Sequence, residues 1–251
     1  MTNNNFWPQG RPHYNVFLSV PSPELVEALS GMGMDSLTID MQHGLFDPAH
    51  LRAAIRASRI PVLVRLAAND PQRIGKALDY GAAGLICPMI ESVVDTEAFV
   101  DACYYPPRGH RSFGPVRVEQ PAGYLDRNRT DDQHIRTFAM VETAAALEAV
   151  EDIAQVERLT GLYVGPFDLS LSMGLERPGD LTQPELRSAV ERVLAVAKKR
   201  SLRYGIFLPG TDDARWATGQ GADLISLGTE EQILRAALTE KLDSVRGKEY
   251  D

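Results

Sequence analysis

Cysteine is scarce in this chain of 251 residues. Cys87 sits inside the apolar run GLICPM and Cys103 in a helical segment, and neither has a CxxC or Cys/His neighbour. Two isolated thiols make no disulfide framework, and they suit a reduced, cytoplasmic setting. Positive charge is also short. Lys+Arg number 26 against 34 Asp+Glu, for a formal net charge of -8, which argues against a nucleic-acid-binding face. No run approaches the ~18 apolar residues of a membrane span. The polar start MTNNNFWPQGRPHYN puts no apolar stretch behind a basic head, so no secretory signal is expected. The pattern G-x-G-x-x-G is missing after the first strand, leaving a dinucleotide site without support.

What is present is a repeat of β-rich run, polar turn and amphipathic segment. Strands are predicted at Asn15–Leu18, Ser36–Asp40, Val62–Leu66, Gly84–Met89, Thr137–Val141, Gly161–Val164, Tyr204–Leu208 and Leu224–Leu227. Helices are predicted near Pro23–Met32, Pro48–Ser58, Pro71–Tyr80, Val93–Cys103, Ala144–Ala154, Gln183–Lys199, Asp212–Gln220 and Glu230–Val245. Pro23, Pro48 and Pro71 each follow a residue able to cap, namely Ser22, Asp47 and Asp70. Eight strands alternating with eight helices point to an α/β chain forming one (β/α)8 barrel of the TIM type, ahead of an open doubly wound sheet. The whole chain reads as one domain, with residues 1–14 as an N-terminal extension and 105–136 as a long loop over the active-site face.

In such a barrel the chemistry gathers at the C-terminal ends of the strands. There the sequence places Asp40, Gln42, His43, Arg65, Glu142 and Asp168. Apolar strands such as LTID and FAMVE have no packing reason to end in ionisable groups. Glu142 and Asp168 suit a hard divalent cation such as Mg²⁺ or Mn²⁺, or else a carboxylate pair neutralised by arginines. Gly165 and Pro166 tighten the turn ahead of Phe167 and Asp168, whose N–H groups can hold a carboxylate. Gln42 joins them as a substrate contact, and Leu208 is expected to shape the pocket from the end of strand seven. The five lysines, Lys76, Lys198, Lys199, Lys241 and Lys248, fall on helices or the C-terminal tail, so a Schiff-base amine inside the barrel is not expected.

Taken in order, IDMQHG (39–44), PVLVRL (61–66), ALDYGAAGLICPM (77–89), YYPPRGHRSFG (104–114), VET (141–143) and GPFDLS (165–170) resemble the HpcH/HpaI aldolase family over most of the chain. The resemblance implies a metal-dependent aldolase that joins a 2-oxo acid, pyruvate or hydroxypyruvate, to an aldehyde through an enolate held at Mg²⁺, Mn²⁺ or Co²⁺. Glu142 and Asp168 would hold the cation, and His43 would be the base. Arg65 would face the keto oxygen, Asp79 would be the carboxylate associated with that histidine, and Asp40 a supporting acid. It further implies a homo-oligomer, commonly a hexamer, with the last helix exchanged between subunits. Gln42 and Ser112 depart from the glutamate and glycine that many members carry. Oxaloacetate decarboxylation at the same site, and a non-catalytic 2-oxo acid binding protein, remain as alternatives.

Overall fold

The computed structural model describes residues 6–114 and 134–247. Eight strands close a parallel barrel in chain order. They are β1 (His13–Leu18), β2 (Ser36–Asp40), β3 (Val62–Arg65), β4 (Gly84–Cys87), β5 (Arg136–Val141), β6 (Gly161–Val164), β7 (Arg203–Phe207) and β8 (Leu224–Thr229). The helices are α1 (Pro23–Leu29), α2 (Pro48–Ala57), α3 (Pro71–Asp79), α4 (Val93–Cys103), α5 (Ala144–Glu148), α6 (Val150–Ile153), α7 (Pro166–Ser172), α8 (Pro184–Lys199), α9 (Thr211–Gln220) and α10 (Glu230–Arg246). None of the described helices is long and apolar enough to cross a membrane.

Local signals account for most of these elements. Ser22, Asp47 and Asp70 accept the N–H groups of Leu25, His50 and Arg73, capping α1, α2 and α3 ahead of a first-turn proline. Three readings need correction. The segment Ala144–Ala154 is two short helices, broken at Ala149. GPFDLS is not only a turn: proline in the first turn opens α7, which carries Asp168. Strand β4 stops at Cys87 instead of Met89, because Pro88 has no N–H for the ladder and Met89 takes a left-handed φ of 53°. Most of the loop expected at 105–136 lies outside the described residues.

Period-two alternation gives the barrel two cores. Side chains such as Leu37, Val64, Leu85 and Leu162 face the helices. Phe17, Leu63, Ile86, Phe138, Met140, Tyr163 and Leu224 fill the interior together with Phe6 from the N-terminal segment. The N-terminal mouth is closed by Phe6 and Trp7. Phe6 stacks on His13 at 4.2 Å, Arg136 lies 4.0 Å over Phe6, and Arg203 lies 4.8 Å over Trp7. All three polar residues open strands, so the segment caps the barrel at the end away from the rim.

A polar ladder runs up from this cap. His13 donates through Nδ1 to the Phe6 carbonyl (2.8 Å), and its Nε2 meets Ser36 Oγ at 2.7 Å. Asn15 donates to Ser36 Oγ and accepts from Thr38 and Ser226, while the Tyr163 hydroxyl donates to Ser226 Oγ at 2.7 Å. With Nδ1–H pointing at a carbonyl, Nε2 must accept from Ser36, so the ring is neutral. Burial lowers the His13 pKa to about 4 from 6.5. The unfolded chain therefore takes up a proton between those values that the folded chain refuses, and stability falls as pH drops from about 6.5 towards 4. A shift of that size corresponds to roughly 3 kcal/mol. Urea unfolding of the wild type and His13→Gln at pH 7 and pH 4.5 measures it. The wild type is expected to lose more stability than the variant on acidification, and a difference independent of pH would contradict the assignment.

Candidate active site

The rim is built from two adjacent strand ends. Asp40 closes β2 and Arg65 closes β3, paired in register. Their side chains form a fork: Arg65 Nε donates to Asp40 Oδ1 at 2.9 Å and a terminal nitrogen donates to Oδ2 at 2.6 Å. Burial works against the Arg65 charge, but the Asp40 bonds outweigh it and hold the pKa above its ordinary value. The guanidinium also lies 5.3 Å over the Phe17 ring. Asp40 Oδ1 accepts the backbone N–H groups of Gln42 (3.0 Å) and His43 (3.3 Å), so one carboxylate orients both Arg65 and the turn that carries His43. Gly44 completes this turn, since a Cβ there would collide with the Asp40 carbonyl.

Glu142 follows β5 and is 1 % exposed. Its Oε1 accepts the Met89 N–H at 2.7 Å, while Oε2 is buried without a partner among the described residues. Burial pushes the Glu142 pKa up; the Met89 bond opposes this, the Asp168 charge adds to it, and Arg65 opposes it. A Cβ at position 165 would stand 2.9 Å from Oε2 and 3.0 Å from the Met140 methyl, so only glycine lets the chain pass this close to that oxygen. Asp168 lies in the first turn of α7, exposed at the cavity mouth.

A buried carboxylate oxygen with no donor costs several kcal/mol of lost hydration unless something positive meets it. Two carboxylates that repel one another, one of them with an unpartnered oxygen, suit a hard cation, whose remaining coordination falls to water or substrate oxygens. No group of three or more His, Cys, Asp or Glu able to hold a metal occurs among the described residues. Lys76, Lys198, Lys199 and Lys241 all lie on helices. None of them lines the cavity, and Lys248 falls outside the described residues.

The cavity at this rim measures about 190 Å³, a size for a small acid. His43, Arg65, Gly165, Phe167 and Asp168 line it, facing an aromatic wall of Phe17, Tyr163 and Phe207 with Met140. Thr229 and Gln232, which form a capping box at the start of α10, complete the lining. Asp40 and Glu142 are buried behind this lining, and Gln42, Asp79 and Leu208 also stand apart from it. Gln42 has its side-chain oxygen buried without a partner among the described residues. Asp79, at the end of α3, pairs with the buried Arg111 at 2.9 Å. Leu208 packs in the core between barrel and helices, and its neighbour Phe207 faces the cavity.

Sequence reading did not find Phe17, Phe207, Thr229, Gln232 or Met89. Alternation along β1 and β7 signals the two phenylalanines, and Thr229-x-x-Gln232 is a capping-box spacing. Nothing local signals Met89.

The family model for HpcH/HpaI aldolase/citrate lyase matches residues 13–237. The chain is 33% identical over 245 residues to a hydroxypyruvate/pyruvate aldolase of Rhizorhabdus wittichii, covering 96% of each chain. It is 29% identical over 233 residues to a 4-hydroxy-2-oxovalerate aldolase of Rhodococcus jostii, covering 90% of this chain and 88% of that one. A crystal structure of an HpcH/HpaI aldolase/citrate lyase family protein from Burkholderia cenocepacia superposes with a TM-score of 0.87 at 30% identity, covering 96% of this chain and 97% of that one. A match along nearly the whole barrel, at this identity and with this rim, leads to one conclusion: the chain belongs to the HpcH/HpaI aldolase/citrate lyase family and is a carbon–carbon lyase.

Proposed function

We propose that this lyase is a divalent-metal-dependent aldolase that joins pyruvate or hydroxypyruvate to an aldehyde and cleaves the same adduct. The observation that carries the proposal is the buried Oε2 of Glu142, without a partner among the described residues, beside Gly165 and near Asp168. Glu142 and Asp168 would hold Mg²⁺, Mn²⁺ or Co²⁺, which when bound supplies a Lewis acid for the keto oxygen of the donor.

The chain's own groups divide the remaining work. Arg65, fixed by its fork with Asp40, presents positive charge to the keto oxygen and to the enolate that follows. The first-turn N–H groups of Phe167 and Asp168, which have no acceptor within α7, hold the donor carboxylate. His43 removes a proton from C3, and the electron pair left behind attacks the aldehyde carbon. The new alkoxide takes that proton back from His43, and cleavage runs the same steps in reverse. Asp40 acts through Arg65 and the His43 turn. Asp79 stands with Arg111 in this chain, so any link to His43 requires a different arrangement, such as contact with a second subunit.

The test is deuterium exchange at C3 of pyruvate and hydroxypyruvate in D₂O, run without acceptor, after chelation and with each cation added back. Exchange that appears only with added cation supports the proposal, and equal exchange after thorough chelation sinks it. Oxaloacetate consumption on the same samples measures decarboxylation as a competing use of the site.

The proposal extends to assembly. Helix α10 is anchored by Glu230, whose carboxylate accepts the N–H groups of Ser19 and Val20. Beyond that anchor Ile233, Leu234, Leu238, Leu242 and Val245 form an apolar stripe, each about half exposed or more. A face of this kind is read as packing on another subunit, with the helix exchanged within a hexamer. Light scattering is expected to give an oligomer for the wild type and smaller particles for Leu238→Glu/Leu242→Glu. A monomeric wild type would end this part of the reading.

A further inference from the structure

We infer that Met89 is a positioning residue: its backbone N–H fixes Glu142 Oε1 and thereby leaves Oε2 as the oxygen free for the cation, while its left-handed φ turns the chain away behind that bond. This rests on the metal-site reading above.

Three residues other than glycine have positive φ among those described: Met89, Arg158 and Ser201. Arg158 and Ser201 lie in turns that lead into β6 and β7, at the end of the barrel away from the rim. Met89 alone follows a strand, at the edge where the carboxylates stand. An L-residue in this region crowds its Cβ against the backbone and keeps the conformation only where its surroundings enforce it. The Met89 side chain does not account for it, being 54% exposed.

The backbone does account for it. Strand β4 ends at Cys87 and Pro88 has no N–H, so Met89 offers the first donor beyond the strand. That donor, fixed in the Pro88–Met89 peptide plane, lies 2.7 Å from Glu142 Oε1 just past the neighbouring strand β5, and the left-handed φ turns the following chain away while that plane stays in place. The terminal torsion of a glutamate is broad and roughly twofold. Without this bond both oxygens of a fully buried carboxylate would lack a partner, and the plane of the group would be unset. With it, Oε1 is taken and Oε2, packed close to Gly165, is the oxygen left without a partner among the described residues. The strain at Met89 and the unpartnered oxygen of Glu142 are thus two sides of one arrangement.

Three variants separate backbone from side chain. Met89→Gly keeps the N–H and adopts positive φ freely. Met89→Leu removes the thioether but keeps an unbranched Cβ and the backbone N–H. Met89→Ile carries a β-branch that makes positive φ a steric outlier, so the Pro88–Met89 peptide must shift and its N–H leaves the acceptor. Binding of Mn²⁺ is read from loss of the free-ion EPR signal, with circular dichroism reporting the fold. Loss of a group that orients a metal ligand weakens metal binding by roughly 10- to 100-fold. That loss is expected for Met89→Ile, while Met89→Gly and Met89→Leu should stay within about twofold of the wild type.

Amide hydrogen exchange at Met89 in the unaltered protein serves if Met89→Ile does not fold. Protection without metal, strengthened by Mn²⁺, is expected. The inference is overturned if folded Met89→Ile binds Mn²⁺ as tightly as the wild type, if Met89→Leu is as weak as Met89→Ile, or if the Met89 amide exchanges at the free-chain rate. A wild type that takes up no Mn²⁺ fails differently: it refutes the metal reading itself, and this inference with it.

Discussion

Glu142→Gln is expected to abolish cation-dependent C3 exchange, by roughly 10³-fold or more, while leaving the protein folded. The amide keeps the shape of the carboxylate, and its oxygen can still accept the Met89 N–H. The group left at the Oε2 position then carries donors where a cation needs a lone pair. Because the carboxylate is buried with one oxygen unpaired, the neutral amide is also easier to bury, and the metal-free variant should melt no lower than the metal-free wild type. Adding Mn²⁺ separates the two proteins. At about 100 times its dissociation constant a ligand stabilises the native state by ~2.7 kcal/mol, equivalent to roughly 5–10 °C for a chain of this size. The wild type should show that rise in melting temperature and Glu142→Gln should not. An equal rise in both would place the cation elsewhere. Retained exchange in a variant with no rise would remove the cation from the chemistry.

His43→Ala carries the second large effect, and it is expected to separate chemistry from metal binding. The imidazole lines the cavity on a turn held by Asp40, and it belongs to neither carboxylate of the candidate cation site. Its loss should lower C3 exchange and aldol turnover by ~10²–10⁴-fold, the contribution of a positioned general base. The Mn²⁺-induced rise in melting temperature should persist. Unchanged turnover would assign the proton to another group. If Mn²⁺ binding were lost as well, His43 would be a ligand and the division of labour given above would be wrong.

The two variants probe sites of different legibility. His43 is visible in IDMQHG because the turn after an apolar strand has no packing use for imidazole, and the structure places it in the cavity. Glu142 is visible at the end of FAMVE for the same reason. Which of its oxygens is free depends on Met89 and Gly165, one on each neighbouring strand connection, and no local pattern reports that. The case of Asp79 is similar. Its place at the end of α3 follows from the helical pattern, whereas its ion pair with Arg111 depends on how the segment after α4 folds back. Leu208 shows how far a strand-end argument reaches. It located the cavity wall to within one residue, but pleating sends Phe207 inward and Leu208 outward, and one position of register decides between them.

Chain-local physics determined the alternation of strands and helices, the capped starts of α1 to α3, the placement of charged groups at strand ends and the confinement of lysine to helices and the tail. These follow from backbone geometry and side-chain periodicity within a few residues, so they can be read along the sequence. Closure of the barrel decided the rest: the fork between Asp40 and Arg65, the unpartnered oxygen of Glu142, the strain at Met89, the aromatic wall, and the cap of Phe6 and Trp7 under His13. Each of these requires groups distant in the chain to meet out of water. Desolvation and hydrogen bonding depend on what surrounds a group in three dimensions, which the order of residues specifies only through the completed fold.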